Sequence, residues 1–257
     1  MKILGMAGTK RAGKDSSARY VMGHIMKKCD VIDRFDITPE GELLVNASYR
    51  DDDGKIVEGM GIFDTNRVDP EFTNYLQEMV WPNVKIYNFA ESLKFIAMNI
   101  YGLEFNQLYG TSQEKESPTT IKWGAIYPLL PKQIRPAAVN KDEFMTAREF
   151  IQYFADILRW IDDDCLTKCL VQRIMVEQSP YTIIADVRRI KEVEAIHACG
   201  GKVIYHTRVS EDDSHHTEHE FDTVNKTEFF DAVIDNRACT IQEKNAQLHS
   251  ILGDWNW

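Results

Sequence analysis

Apolar positions along the chain fall into two kinds of segment: short runs of strand length, and longer stretches in which they return every third or fourth residue. KILGMAG (2–8), VKIYNF (84–89), YTIIAD (181–186), KVIYHTR (202–208) and DAVIDN (231–236) read as strands. Ser16–Lys28, Ala90–Tyr101, Lys141–Ile161, Asp162–Glu177, Arg189–Cys199 and Thr240–Leu252 carry the helical period. Val21, Ile25 and Met26 are the core-facing positions of the first helix, and Leu93, Ile96, Ala97 and Ile100 those of the second. Pro180 stops one helix ahead of a strand, and Gly200–Gly201 ends another. Strand followed by helix, repeated along the chain, predicts an α/β fold built on a mostly parallel sheet.

Three segments interrupt that rhythm. GELLVNASYR and KIVEGMGIFD flank the turn sequence Asp51–Gly54 and predict an inserted hairpin over residues 34–83, closed by a helix over Asp69–Val80. Between Gly102 and Val139 four prolines, Pro118, Pro128, Pro131 and Pro136, forbid a long helix. The polar segment EDDSHHTEHEFD is the third. No repeat or interdomain linker appears, so residues 1–257 read as one domain carrying the insertion, an acceptor-binding helical subregion over 102–180 and a lid segment over 208–225.

Composition adds limits more than content. Thirty Lys and Arg against 40 Asp and Glu give a net charge of −10, which disfavours binding to a nucleic-acid polymer or an anionic membrane. No apolar run approaches the roughly 18 residues of a membrane helix, and MKILGMAGTK lacks a secretory signal's apolar segment, so a cytoplasmic location without a membrane partner is expected. Five cysteines without a CxxC pair predict reduced, packed thiols. His215 and His219 stand four apart, but no further ligand motif supports a zinc site, and a GxSxG nucleophile elbow is absent.

The sharpest signal is Gly8-Thr9-Lys10-Arg11-Ala12-Gly13-Lys14-Asp15, which keeps the glycine and lysine spacing of a phosphate loop between a strand and a helix. In such a loop Gly8 and Gly13 let the backbone turn around phosphate oxygens, Lys10 and Arg11 lie along it, first-turn N–H groups donate, and Lys14 pairs with the β/γ-phosphate charge of ATP. Asp15 takes the place usually held by Ser or Thr, which makes Ser16 the foremost hydroxyl for Mg²⁺, with Ser17 in reserve and Asp15 free to contact water or another group. Asp186, ending an apolar strand, suits water-mediated Mg²⁺ binding, and Arg188 just after it offers a guanidinium fork to an acceptor phosphate. Arg189 is expected to pair with Glu192 or Glu194. Arg148, Gln152 and Arg159 lie near one another around a helix axis. Tyr87, Phe89, Phe150, Tyr153 and Phe154 fit core packing better than base stacking.

GTKRAGKDSSA resembles the opening of phage deoxynucleoside monophosphate kinases, relatives of the wider P-loop nucleoside monophosphate kinases. NFAESLK (88–94), TAREFIQYFADILR (146–159), IIADVRR (183–189), GGKVIYHTR (200–208) and His215-His216-Thr217-Glu218 resemble that family in the same order, leaving out the insertion. The resemblance implies a P-loop kinase-like three-layer fold, transfer of phosphate from ATP to a deoxynucleoside monophosphate, and a protein of the host cytoplasm. It implies acceptor or transferring-phosphate roles for Arg148, Gln152, Arg159 and Lys94, and places Arg208, His215, Thr217 and Glu218 in a lid. Lys14, Arg148 and Arg188 are then the catalytic set. Nucleoside monophosphate and nucleoside triphosphate are the expected partners, with room for a homodimer. Two other readings stand beside it: a different P-loop small-molecule kinase, since animal phosphomevalonate kinases have a similar Gly-Lys-Asp opening, and a noncatalytic nucleotide-binding scaffold.

Overall fold

The computed structural model describes residues 1–9, 11–50, 55–65, 67, 69–208 and 220–257, with the side chains of 47–50, 56 and 57 outside the description. The chain divides into two compact units, 1–88 with 173–257, and 89–172.

In the first unit five parallel strands form the central sheet: β1 (Lys2–Gly8), β5 (Val84–Tyr87), β8 (Tyr181–Val187), β9 (Lys202–Thr207) and β10 (Ala232–Asp235). Their spatial order is β10-β9-β1-β8-β5, so β1 lies in the middle and the chain crosses over it between β8 and β9. That crossing is a topological switch point, where open α/β sheets bind ligands beyond the carboxyl ends of their strands. Leu4 and Met6 of β1, with Ile183, Ala185, Ile204 and Ile234, pack against helix α1 (Lys14–Lys28) and the final helix α11 (Ile241–Asp254). Gly5 points to the opposite face, where a Cβ on it would come within 2.8 Å of Ile196 in α9 (Ile190–Ala198). Helices thus cover both faces, as the α/β, P-loop kinase-like reading requires.

The insertion has one strand more than expected. β2 (Phe35–Ile37), β3 (Leu43–Arg50) and β4 (Ile56–Ile62) make an antiparallel sheet, while the Asp51–Gly54 turn lies outside the described residues. Ile37, Leu43, Val45 and Phe63 join the core of α1 and α11, so burial on the shared core fixes the insertion in place. The expected helix over Asp69–Val80 begins with Pro70 behind an Asp69 cap as α2 (Pro70–Tyr75), but its second half widens into a π turn over Leu76–Val80. A short helix, α10 (Lys226–Phe229), precedes β10.

The second unit contains α3 (Glu91–Tyr101), α4 (Phe105–Tyr109), α5 (Ser112–Lys115), β6 (Pro118–Lys122), α6 (Trp123–Ile126), β7 (Phe144–Thr146) and α7 (Ala147–Ile161), and the greater part of α8 (Cys165–Glu177). Lys141–Ile161 is therefore not one helix: Phe144–Thr146 pairs with β6, and Thr146 with Glu149 forms the capping box that starts α7. The next helix starts at Cys165, three residues later than Asp162. Leu93 and Ala97 are buried as expected, but Ile100 is 72% exposed, because the apolar stripe of α3 narrows before its Gly102 end. All five cysteines are free; Cys29 and Cys165 pack against the cores, four of the five are half-buried, and Cys169 is exposed.

Candidate active site

The carboxyl end of β1 runs into the loop 8–13, and α1 begins at Lys14. Gly13 has φ +91 and Gly8 φ +141, conformations costly for a side chain. Their neighbours add a second reason: a Cβ on Gly8 would stand 2.5 Å from the His206 carbonyl oxygen, and one on Gly13 2.8 Å from the Asn236 amide nitrogen. Lys14 turns its ammonium back over the loop, donating to the Gly8 and Thr9 carbonyl oxygens at 2.7 Å each. Asn236 donates to the Ala12 carbonyl at 2.9 Å, and Arg208 to that of Arg11 at 2.9 Å, so the ends of β10 and β9 hold the loop from outside. Thr9 carries a buried hydroxyl with no hydrogen-bond partner among the described residues. An orphaned polar atom in a loop at a helix N-terminus suits a ligand with acceptor oxygens.

The first turn of α1 separates the two serines. Ser16 is half-buried, and its hydroxyl donates to the Gly13 carbonyl at 3.0 Å. Ser17 is fully buried, 2.9 Å from His206 Nε2 and 3.0 Å from Lys244 Nζ, so both its faces are already occupied. Lys244 of α11 also donates to Ser16 Oγ at 2.8 Å. Burial pulls the Lys244 ammonium down to about 8, still mostly charged at neutral pH. Burial also pulls His206 down to about 3, aided by the charge of Lys244. The neutral ring faces the Ala7 carbonyl through Nδ1 at 3.3 Å, so Nδ1 carries the hydrogen and Nε2 accepts from Ser17. Gly41, in the insertion, approaches the same turn: a Cβ there would lie 2.8 Å from Ser16 Cβ. Asp15 is exposed.

Asp186 stands half-buried near the end of β8, next to the strand that feeds the loop. Beyond it, the Arg188 and Arg189 N–H groups donate to buried Glu192 at 2.8 and 3.1 Å, which pins the turn after the strand. The Arg189 side chain pairs with Glu220 at 3.1 Å. Lys10, His215, Thr217 and Glu218 lie outside the described residues.

In the second unit, α7 carries Arg148, Gln152 and Arg159 in one row. Asp156 belongs to the same row: steps of four, eight and eleven residues from Arg148 stay within about 80° around the axis. Arg148 pairs with Glu116 and Arg159 with buried Asp156 at 3.6 Å, while Gln152 makes no side-chain hydrogen bond among the described residues. Lys94 lies 4.1 Å over the Tyr109 ring, whose hydroxyl donates to Glu91. Tyr87, Phe89 and Phe150 are buried, as core residues should be.

Sequence reading missed Lys244, His206 and Asn236. Each sits far from the glycine motif in the chain, and no motif links it to the loop. An isolated lysine at an apolar helix position was the one available signal.

No individually curated protein matches the chain. The sequence model for deoxynucleotide monophosphate kinases does, over residues 2–244, which includes the phosphate loop, the insertion, the α7 row and Lys244. A match of that extent favours a nucleotide kinase over a noncatalytic scaffold or another small-molecule kinase. With a glycine-rich loop at the switch point of a parallel sheet and a family match across nearly its whole length, the chain belongs to the deoxynucleotide monophosphate kinase family, enzymes that phosphorylate deoxynucleotide monophosphates.

Proposed function

We propose that the loop 8–14 holds the polyphosphate of ATP, and we assign acceptor-phosphate roles to Arg188 in the first unit and, separately, to Arg148 of α7 in the second. The observation that carries this reading is Lys14 folded over the loop carbonyls, beside a buried Thr9 hydroxyl that still lacks a partner. A polyphosphate offers Lys14 anionic oxygens in place of the neutral Gly8 and Thr9 carbonyls, and offers Thr9 an acceptor. Lys10 and Arg11 add charge along the same loop.

Ser16 and Asp186 are the residues that would hold a divalent cation, against the opposing charge of the Lys244 ammonium 2.8 Å from Ser16 Oγ. Ser16 would ligate Mg²⁺ directly and Asp186 through water, while Ser17 is committed to His206 and Lys244. Bound there, Mg²⁺ would neutralise charge on the β- and γ-phosphates.

The reaction needs little from the protein beyond alignment. An ionised oxygen of the acceptor phosphate attacks the γ-phosphorus; that O–P bond forms as the bond to the β,γ-bridging oxygen breaks, and the leaving electron pair stays on ADP. No general base is required, because the attacking oxygen is already anionic. Lys14 stabilises the charge growing on the donor oxygens, and Arg148 and Arg188 orient the acceptor phosphate. Gln152, Arg159 and Lys94 complete the acceptor side. Arg208, which already holds the Arg11 carbonyl, adds charge on the triphosphate side.

The test is phosphotransfer from Mg²⁺/ATP to dAMP, dGMP, dCMP, dTMP, hydroxymethyl-dCMP and the matching ribonucleotides, with diphosphate products resolved chromatographically. Selective formation of deoxynucleoside diphosphates is expected. Lys14→Met should lower kcat by about 10²–10³-fold, the usual cost of losing a charge-stabilising donor. Full turnover by Lys14→Met would sink the loop assignment. Arg148→Gln should act mainly on the KM for the acceptor, and a change confined to the KM for ATP would move that residue to the donor side.

A further inference from the structure

A directed hydrogen-bond chain runs behind the phosphate loop and joins its two ends. His206 Nδ1–H points to the Ala7 carbonyl, Ser17 donates to His206 Nε2, Lys244 donates to both Ser17 and Ser16, and Ser16 donates to the Gly13 carbonyl. Every member belongs to the first unit.

The chain contains a charge with nothing to balance it. Lys244 is 1% exposed, and its ammonium meets only the two serine hydroxyls; no carboxylate among the described residues lies within ion-pairing distance. Burying an ammonium with neutral partners alone is expensive, and an apolar residue of like volume would serve packing better. A costly charge held one hydroxyl behind an anion-binding loop has a use only if its counter-charge arrives from outside.

We propose that Lys244 is a second cation of the donor site, a positioning residue whose missing counter-ion is the polyphosphate bound on the loop in front of it. This rests on the phosphate-loop reading above and deepens it. Lys244 acts in two ways. It adds positive potential behind the first turn of α1, where the helix N-terminus already favours anions. It also sets the Ser16 hydroxyl: the hydrogen is committed to Gly13 and one lone pair to Lys244, which leaves one lone pair uncommitted. The same charge opposes a divalent cation at Ser16, so its contribution to nucleotide binding is greatest when no metal is present.

The test compares wild type, Lys244→Met and Lys244→Gln in the full chain by calorimetric titration with ATP and with inorganic tripolyphosphate, each in EDTA and in Mg²⁺, together with the Tm of the ligand-free protein. Lys244→Met should keep or raise the Tm while weakening both ligands in EDTA by at least about tenfold, the scale of one lost charge-assisted interaction. The loss should be smaller in Mg²⁺. Lys244→Gln, which keeps a donor for Ser16 without the charge, should lose affinity in EDTA like Lys244→Met, and it carries the test if Lys244→Met fails to fold. Unchanged affinities with a lowered Tm would show a packing lysine and overturn the inference. Equal losses with and without Mg²⁺ would overturn the charge argument. Wild-type protein that binds neither ligand would remove the phosphate-loop reading as well, an outcome distinct from wild-type binding with unaltered variants.

Discussion

At the outer edge of the parallel sheet, Lys85 of β5 meets Glu177 at 2.5 Å and lies 4.0 Å over the Trp81 ring. Behind the phosphate loop, Lys244 is more deeply buried and meets only serine hydroxyls. Around Lys85 the protein itself supplies the counter-charge, Glu177, which also accepts from Tyr87 and Arg173 at 2.8 Å each. Around Lys244 the cluster stays open. A closed cluster is what structure alone requires; an open one stores electrostatic free energy that a bound anion can release.

The largest effect should come from breaking the closed cluster. Glu177→Ala strands Lys85 and should lower the unfolding free energy by about 2 kcal/mol in urea denaturation, below the full cost of splitting a buried pair because Glu177 keeps 29% side-chain exposure. Lys244→Met, by contrast, should leave that free energy unchanged or higher. If both variants lost stability alike, the distinction between the two lysines would collapse.

Acid separates the same two regions. Burial alone would raise Glu177, but hydrogen bonds from Lys85, Arg173 and Tyr87 outweigh it and hold the carboxyl at about 2, so its contribution is present above about 4.5 and lost as pH falls towards 2. His206 is held down at about 3 by burial, then by Lys244, so the unfolded chain binds its proton first and stability falls as pH drops from about 6.5 towards 3. The loop cluster should therefore weaken before the edge cluster does. His206→Gln should flatten the wild-type decline in stability between pH 6.5 and 4.5, leaving a slope from His24, which burial and His249 also hold down. An unaltered slope would mean His206 is not the group that titrates.

Smaller effects should sharpen the picture. Ser17→Ala removes the link between His206 and Lys244 and should cost about 1 kcal/mol of stability, with weaker ATP binding in titration. Arg173→Gln takes one exposed i,i+4 partner from Glu177 and should cost about 0.5 kcal/mol, measurable as a small shift in the urea midpoint.

How far these features could be read in advance depends on the distance over which their causes act. The strands Lys2–Gly8, Tyr181–Val187 and Lys202–Thr207 announce themselves as apolar runs because buried parallel strands are apolar on both faces. The loop is readable because its glycines and lysine work within eight residues. β2 was missed because three residues make no period, and Phe144–Thr146 was absorbed into a helix because its strand character comes from pairing with Pro118–Lys122. The row of Arg148, Gln152 and Arg159 was visible as spacing, but Asp156 within it only became notable once its burial was known.

The sequence by itself determined the alternation of strand and helix, the glycine-and-lysine motif after the first strand and the family to which the chain belongs, because each is written in contiguous residues whose periodicity or spacing is local. Tertiary structure alone decided that Lys244 reaches Ser16 and Ser17 across 228 and 227 positions, that His206 faces Ala7, and that Gly41 abuts the turn after the loop. Those contacts depend on strand order and helix docking, which bring distant residues together through the shared core and leave no periodic trace in the chain.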